Sequence, residues 1–241
     1  MFLDDFYQTR SNATQLPSFV VQPEQASRFA KRVAGDFNPL HNPDSKRFCV
    51  PGDLLFSISL AQLGLAKYIS VKFVGMLSDN RELNFVPDQD HSYLIQDSDA
   101  KTFLSLTHQN TLSQDPQIIA PFIEAYVAFS GESFPNLLVP IMAEHNIMIN
   151  PARPMVMYES MAVHFEQTPT ANMRLEYAGY TIDSQAKRAQ VTLKFSILDG
   201  NNLLGYGNKV MLLSGLREYD HEAMQQVCDD YATIKSNYAE S

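Results

Sequence analysis

The sequence has little of several features that mark particular classes of protein. Its 241 residues include only two cysteines, Cys49 and Cys228, which are too few for a disulfide framework and too far apart for a CxxC redox or zinc site. We expect both to be reduced thiols. Positive charge is also scarce, because 18 Lys and Arg face 27 Asp and Glu and the net charge is −9. That sign is wrong for a protein that binds phosphate backbones, so nucleic acid is not an expected partner.

Long apolar runs are absent as well. No stretch approaches the roughly 20 apolar residues that a membrane span needs, and Asp4 and Asp5 stand where a signal peptide carries positive charge. No glycine-rich phosphate loop is present, and His108, His145 and His164 lack the spacing of metal ligands. We therefore expect a cytoplasmic protein without membrane contact, without a metal and without a cofactor.

The first half of the chain shows a clear order of patterns. Apolar residues at helical spacing predict a short amphipathic helix over 24–34, which must end at Gly35. The segment 53–66 is apolar or small on nearly every face, which is typical of a helix buried inside a domain. Alternating β-rich runs follow it and predict an antiparallel sheet; they are 70–76, 81–87, 92–96 and 102–108. The run 117–129 could be a last strand, with Pro121 favouring an edge or a bulge.

The second half repeats this order. An apolar segment of helical length, 135–145, precedes four more β-rich runs, and Asp199-Gly200-Asn201-Asn202 is a strong hairpin signal between the last two. The repetition suggests a duplicated unit. After residue 217 the chain turns polar and predicts a surface helix with one apolar stripe, which we expect to dock on the body of the protein. The stripe consists of Met224, Val227, Tyr231 and Ile234.

Chemistry is concentrated in the segment 29–48, FAKRVAGDFNPLHNPDSKRF. Asp36 and His41 are five positions apart, so they cannot share a helical face and need the turn between Gly35 and Pro39 to converge. A converged carboxylate and imidazole can grip one water molecule, take a proton from it and later deliver one to carbon. The alternative is structural, because Asp-x-Asn-Pro is a common turn in which the Asp caps backbone N–H groups.

The run AGDFNPLH resembles the hydratase motif of the MaoC-like dehydratases and (R)-specific enoyl-CoA hydratases, and every fixed position of that motif is present. The resemblance implies that Asp36 and His41 activate a water for reversible addition to a 2-enoyl thioester, while Asn38 holds the loop. It also implies that a backbone N–H of Gly52 polarises the thioester carbonyl, which suits the N-terminus of a helix. Which of Asp36 and His41 removes the proton stays open.

The same resemblance implies an α+β protein with a double hot-dog fold, in which two long buried helices are each wrapped by an antiparallel sheet. We expect an N-terminal unit over 1–128, a degenerate second unit over 129–217 and a C-terminal helix over 218–241, as a monomeric double hot-dog or a homodimer. An acyl thioester of CoA or acyl-carrier protein would enter between the units. Basic residues that flank the motif are the expected contacts for its phosphate groups; they are Lys31, Arg32, Lys46 and Arg47.

Two departures from the family pattern keep other functions open. The usual His-Gly before the helix is Pro51-Gly52 here, and the next residue, Asp53, places a second negative charge near the thioester oxygen. These departures favour a protein that binds an acyl thioester or another apolar ligand without turnover. A thioesterase-like hydrolase is a third possibility, since one fold hosts several chemistries. The second unit has only Ser-Gly-Glu-Ser-Phe-Pro at 130–135, so we expect one active site per chain.

Overall fold

The computed structural model of the chain describes residues 2–10, 16–153 and 155–239. The remaining residues of the predicted units, namely Met1, 11–15, Pro154 and 240–241, lie outside it. Within the described residues, the α-helices are α1 (Pro23–Phe29), α2 (Gly52–Leu63), α3 (Pro116–Gly131), α4 (Ser133–Asn136), α5 (Leu138–Glu144) and α6 (His221–Ala239). The strands are β1 (Gln8–Arg10), β2 (Ser18–Val20), β3 (Leu65–Phe73), β4 (Asn84–Pro87), β5 (Ser92–Gln96), β6 (Thr102–Ser113), β7 (Ile147–Met148), β8 (Val156–Phe165), β9 (Met173–Gln185), β10 (Arg188–Asp199), β11 (Asn202–Ser214) and β12 (Arg217–Glu218).

Eight of the described strands form one antiparallel sheet in the order β4-β5-β6-β3-β8-β11-β10-β9. The two halves of the chain meet where β3 pairs with β8, with Ile69 opposite Val163 and Val71 opposite Met161. Read outward from this junction, the first half runs β3-β6-β5-β4 and the second half runs β8-β11-β10-β9. The same strand order therefore occurs twice, and with the helices that pack on the sheet it confirms the predicted α+β double hot-dog fold.

Helix α2 is the buried helix that the sequence predicts over 53–66, but it ends at Leu63, and Leu65 and Ala66 already belong to β3. Its apolar side chains are buried on every face, including Leu54, Phe56 and Ile58. Two buried serines are satisfied within the helix, because each hydroxyl donates to the carbonyl oxygen four residues earlier. The distances are 2.6 Å from Ser57 Oγ and 2.8 Å from Ser59 Oγ.

The prediction that 117–129 forms a strand is wrong, because this segment lies in helix α3. Its buried apolar residues recur at helical spacing and pack into the same core as α2; they are Ile119, Phe122, Ile123, Tyr126 and Val127. Asp115 caps the helix by accepting a hydrogen bond from the Gln117 N–H at 2.9 Å. Burial of this apolar face compensates for the loss of one backbone hydrogen bond at Pro121.

The single helix predicted over 135–145 is corrected to two short helices, α4 and α5, with Leu137 between them. Helix α5 packs in a second, smaller core against β10, β11 and the start of α6, through residues such as Leu138, Met142 and Met224. The long helix that packs on the second half is therefore α3, and not the predicted segment 135–145.

Two other predicted elements are present in the structure. The 199–202 hairpin joins β10 and β11, with Asp199 opposite Asn202, and helix α6 covers most of the predicted segment 218–241. None of the described helices is both long and apolar enough to cross a membrane. Helix α3 extends across the predicted boundary between residues 128 and 129, so the division into units stays a prediction.

Candidate active site

A cavity of about 800 Å³ lies between the two halves of the chain. Its wall includes the loop after α1, the N-terminus of α2, the C-terminal end of α3, strands β8 and β11, and helix α6. Among the predicted site residues, the structure brings Asp36, Asn38, His41 and Gly52 to this wall. Both halves therefore contribute to one site.

The end of the first helix decides where Asp36 lies. Helix α1 continues as one π-helical stretch, Ala30–Ala34, and Gly35 then takes a left-handed conformation with φ of +65°. A left-handed residue at the end of a helix is most easily glycine, which has no Cβ to clash. The Asp36 N–H donates back to the Ala30 carbonyl oxygen at 2.8 Å. The chain leaves the helix with the Asp36 side chain at the cavity.

Asp36 uses its two carboxylate oxygens differently. Oδ1 accepts a hydrogen bond from the Asn38 N–H at 2.9 Å, which is the turn-capping role. Oδ2 lies 3.5 Å from Nε2 of His41, at the outer limit of a direct hydrogen bond. Capping and pairing with His41 therefore coexist, because each uses a separate oxygen. With 31% of its side chain accessible, Asp36 remains open to the cavity.

His41 is fixed from the opposite side of its ring. Its Nδ1 lies 2.7 Å from the Cys49 carbonyl oxygen, which can only accept, so Nδ1 carries the proton in the neutral imidazole. Nε2 is then the nitrogen that faces Asp36. The Asn38 side chain accepts from the Leu40 N–H at 3.1 Å and caps the 3₁₀ turn that contains His41. Hydrogen bonds to nearby backbone groups therefore fix the side chains of both Asp36 and His41.

The environment shifts the pKa values of the pair in opposite directions. Burial on its own raises the pKa of Asp36, but the hydrogen bond and the charge of His41 outweigh it, so the carboxyl pKa lies below its usual value. Burial likewise disfavours protonated His41, but its interaction with Asp36 outweighs that effect and the imidazole pKa lies above its usual value. The pair is stabilised in its charged form.

Gly52 begins helix α2 at the cavity wall. Nothing in the described part of the chain accepts a hydrogen bond from its N–H, as is usual in the first turn of a helix. A Cβ added at this position would lie 2.9 Å from the Phe73 ring and 3.1 Å from the Tyr158 ring. The two aromatic rings therefore occupy the space that a side chain would need, and glycine is required here for packing.

Asp53 also lines the cavity, together with two polar residues that the sequence analysis does not single out as functional, Ser130 and Lys209. Asp53, in the first turn of α2, accepts a hydrogen bond on Oδ2 from Ser130 Oγ at 2.5 Å. Lys209, on β11, donates to the same Ser130 hydroxyl. A signal for Lys209 exists in the sequence, because it shares its strand face with the buried Met211 and Leu213, where a lysine is unusual.

The four predicted phosphate contacts lie in three different places. Arg47 lines the cavity, together with Arg153, which the sequence analysis does not identify. Lys46 is exposed and outside the cavity wall. Lys31 and Arg32 instead meet Tyr238 on α6, with Lys31 Nζ 5.5 Å from the ring centroid and Arg32 donating to the hydroxyl at 3.2 Å.

Helix α6 docks on the body of the protein, as its apolar stripe predicts, and the structure shows that it contacts the loop that carries Asp36. The Tyr231 hydroxyl accepts from the Phe37 N–H at 3.1 Å and donates to the Gly35 carbonyl oxygen at 3.2 Å. It thereby joins the two peptide groups on either side of Asp36. Burial, together with the charge of Asp36, raises the pKa of Tyr231 to about 12, so this hydroxyl stays protonated at neutral pH.

The other predicted histidines and the two cysteines lie outside the Asp36–His41 pair. His108 contacts the Gly64 carbonyl oxygen at 3.2 Å, His145 the Tyr180 hydroxyl at 3.0 Å, and His164 stacks on Tyr206. Both cysteines are free, and burial raises the pKa of Cys49 to about 11. Within the described ranges, no three His, Cys, Asp or Glu side chains are grouped in a way that could hold a metal ion.

Comparison with known proteins gives one family and several distant structures. The model of a family described as "Protein of unknown function (DUF3581)" matches residues 1–222. A search of curated proteins found no match. Similar solved structures include a conserved hot-dog protein of unknown function from Alicyclobacillus acidocaldarius, with 10% identity, 89% of this chain and 98% of that chain covered and a TM-score of 0.48.

Two further structures are similar over comparable lengths. One is called a MaoC-like dehydratase, with 10% identity, 88% and 99% of the two chains covered and a TM-score of 0.44. The other is the acyl-CoA thioesterase II TesB2 from Mycobacterium marinum, with 10% identity, 92% and 99% covered and a TM-score of 0.41. At these identities and scores, the similarities do not decide the chemistry of this chain.

Proposed function

This chain belongs to the DUF3581 family, and we propose that it is a hydratase that adds water reversibly to 2-enoyl thioesters carried by CoA or acyl-carrier protein. One observation carries the proposal: Oδ2 of Asp36 and Nε2 of His41 lie 3.5 Å apart on the wall of a cavity of about 800 Å³. A cavity of that size suits an acyl chain of moderate length.

The pair is suited to activating water. A water molecule that contacts both groups can donate a hydrogen to the Asp36 carboxylate. Nε2 of His41 donates to the water oxygen in the charged form of the pair, and accepts the second hydrogen of the water in the neutral form, in which the ring proton is on Nδ1. When the water oxygen bonds to the β-carbon of the enoyl group, one of these two groups takes its proton. The Asp36–His41 pair then delivers one proton to the α-carbon and returns to its starting protonation state, so that H and OH of one water are added across the double bond. Dehydration of a 3-hydroxyacyl thioester is the same sequence in reverse.

Addition at the β-carbon places negative charge on the thioester oxygen. The Gly52 N–H at the start of α2 is free of other hydrogen bonds in the described chain and stands at the positive end of the helix. A donor that is already in place where charge develops stabilises the transition state. Arg47 is the predicted contact for the carrier's phosphate groups that lies at the cavity.

The test is hydration of crotonyl-CoA, followed as loss of the enoyl absorbance. We expect turnover by the wild-type protein and a loss of about 10²–10⁴-fold in Asp36→Asn, which removes the charge that positions the water. Glu132→Gln is the matched control, because Glu132 follows Gly131 as Asp36 follows Gly35 but is exposed; it should retain full activity. Absence of turnover over a panel of acyl chain lengths would refute the proposal.

Two other functions are distinguished by the same assay. Water activated by Asp36 and His41 could instead attack the carbonyl carbon, which would make the protein a thioesterase; release of free CoA would reveal this. Asp53, one residue from the Gly52 N–H, favours binding without turnover if its charge opposes the developing oxyanion. Retained binding of acyl-CoA without hydration or CoA release would indicate this third function.

A further inference from the structure

The carboxyl group of Asp53 has one satisfied and one unsatisfied oxygen. The residue is only 8% exposed and lies on the cavity wall. Oδ2 accepts the Ser130 hydroxyl, whereas Oδ1 is buried and has no hydrogen-bond partner among the described residues. A buried ionised oxygen without a partner is costly, since the loss of its hydration is not compensated. A proton on Oδ1 removes that charge and turns the oxygen into a donor.

Charged and titratable groups face Asp53 from several elements. Asp36 and His41 act on it from the loop, Lys209 from β11 and Tyr158 from β8. The Lys209 ammonium group donates to the Ser130 hydroxyl, which in turn donates to Asp53, so Lys209 is linked to Asp53 through Ser130. The same ammonium group lies 4.3 Å from the centroid of the Tyr158 ring. The Tyr158 hydroxyl is itself hydrogen-bonded to the hydroxyl of Tyr126.

We propose, on the premise of the hydratase function above, that Asp53 is a third catalytic side chain, which holds a proton and donates a hydrogen bond from it to the carbonyl oxygen of the bound thioester. It acts beside the Gly52 N–H, since the two residues are adjacent in the first turn of α2. The proton remains on Asp53 throughout, so the addition of water is balanced as described above. The bond strengthens as the oxygen becomes negative, which is the condition for catalysis.

The balance of interactions supports a protonated Asp53. Burial is the largest influence and raises the pKa of Asp53; Lys209 and Ser130 offset this only in part, so the net direction is upward. Asp36 adds to the rise, and its own pKa is shifted downward. Two carboxyls with opposite shifts in one cavity are suited to opposite roles, one ionised and one a neutral donor.

The test compares wild type with Asp53→Asn and Asp53→Leu. Asparagine keeps a neutral hydrogen-bond donor, whereas leucine keeps the bulk and removes it. The infrared spectrum of the ligand-free wild-type protein near neutral pH should contain the band of a protonated carboxyl group. That band should be absent from the spectrum of Asp53→Asn, so the difference between the two spectra reveals it. With ¹³C-carbonyl butyryl-CoA, which cannot be hydrated, the bound thioester band should shift to lower frequency in wild type and Asp53→Asn, and by less in Asp53→Leu, where only the Gly52 N–H remains as donor.

Kinetics provide the third measurement. Asp53→Leu should hydrate crotonyl-CoA about 10²–10³-fold more slowly. Asp53→Asn should remain within about tenfold of wild type and should lack the fall in rate that ionisation of Asp53 is expected to cause in wild type as the pH rises. The inference is overturned if the protonated band is absent, or if Asp53→Asn is as slow as Asp53→Leu and keeps the wild-type pH profile. A wild-type protein with the infrared bands but without hydration would instead refute the hydratase function.

Discussion

In each half of the chain, a glycine at the end of a helix is followed within four residues by a Phe and a Pro, at 35–39 and at 131–135. The two glycines are required for different reasons. Gly35 has φ of +65°, and a Cβ at this position would meet nothing within 4 Å. Gly131 lies at the end of α3, and a Cβ there would be 1.6 Å from the Ala34 carbonyl oxygen. The first glycine is needed for backbone conformation, and the second for close contact between the two copies.

The polar groups differ in the same way. The first half directs Asp36 and His41 to the cavity, whereas the residue at the matching place in the second half, Glu132, is exposed. The second half contributes Ser130 and Lys209 instead. The repeated fold therefore forms one cavity with two unlike walls: one carries Asp36 and His41, and the other carries Ser130 and Lys209, which interact with the buried carboxyl group of Asp53. The two halves complement each other, and neither wall is complete alone.

Substitution of the two glycines should separate their roles most strongly. Gly131→Ala forces backbone against backbone, and we expect a loss of about 3 kcal/mol or more in the free energy of unfolding. Gly35→Ala has space for the methyl group and should lose about 1 kcal/mol from the strained left-handed conformation. Urea unfolding of both variants measures the difference. Equal losses would show that the two glycines are needed for the same reason.

The charged pair of the first wall should make stability depend on pH. Because folding raises the pKa of His41, its contribution is complete below the unfolded value of about 6.5 and is lost as the pH rises through the higher folded value. We expect His41→Asn, which keeps a donor for the Cys49 carbonyl oxygen, to lose about 1–2 kcal/mol below that range. The loss should shrink at alkaline pH. Urea unfolding at several pH values tests this, and a loss that grows with pH would contradict it.

The smallest expected effect concerns Tyr231 of helix α6, which contacts the loop of the first wall. Tyr231→Phe keeps the ring and removes both hydrogen bonds to the backbone around Asp36, so we expect a loss of about 1 kcal/mol. Amide exchange of Phe37 should become faster. Tyr219→Phe is the control, since no hydrogen bond of its hydroxyl is present in the part of the chain that the structure describes. If both variants left Phe37 exchange unchanged, α6 would not hold the loop.

Much of the fold could be predicted because local patterns coincide with burial. Alternating apolar residues mark the strands of both halves, and the nearly all-apolar segment 53–66 marks a helix with no exposed face. Helix α3 was not predicted, because Pro121 and the β-branched residues around it favour a strand locally. Packing of Phe122 and Tyr126 into the shared core outweighs that preference.

The candidate site divides in a similar manner. Asp36, Asn38 and His41 belong to one short loop whose own hydrogen bonds and glycine hold them, so their proximity is a local property and could be predicted. The partners of Asp53 could not, because Ser130 is 77 residues away in the chain and Lys209 is 79 residues beyond Ser130. No local pattern specifies contacts at such separations.

The sequence by itself therefore determined the α+β class, the repeated order of elements and the loop that pairs Asp36 with His41, because each depends on interactions between near neighbours in the chain. Only the tertiary structure decided that the second half supplies Ser130 and Lys209 to the same cavity, that α6 clamps the loop, and that Asp53 is buried with one free oxygen. These features arise where distant segments pack together, and the antiparallel pairing of β3 with β8 sets which segments meet.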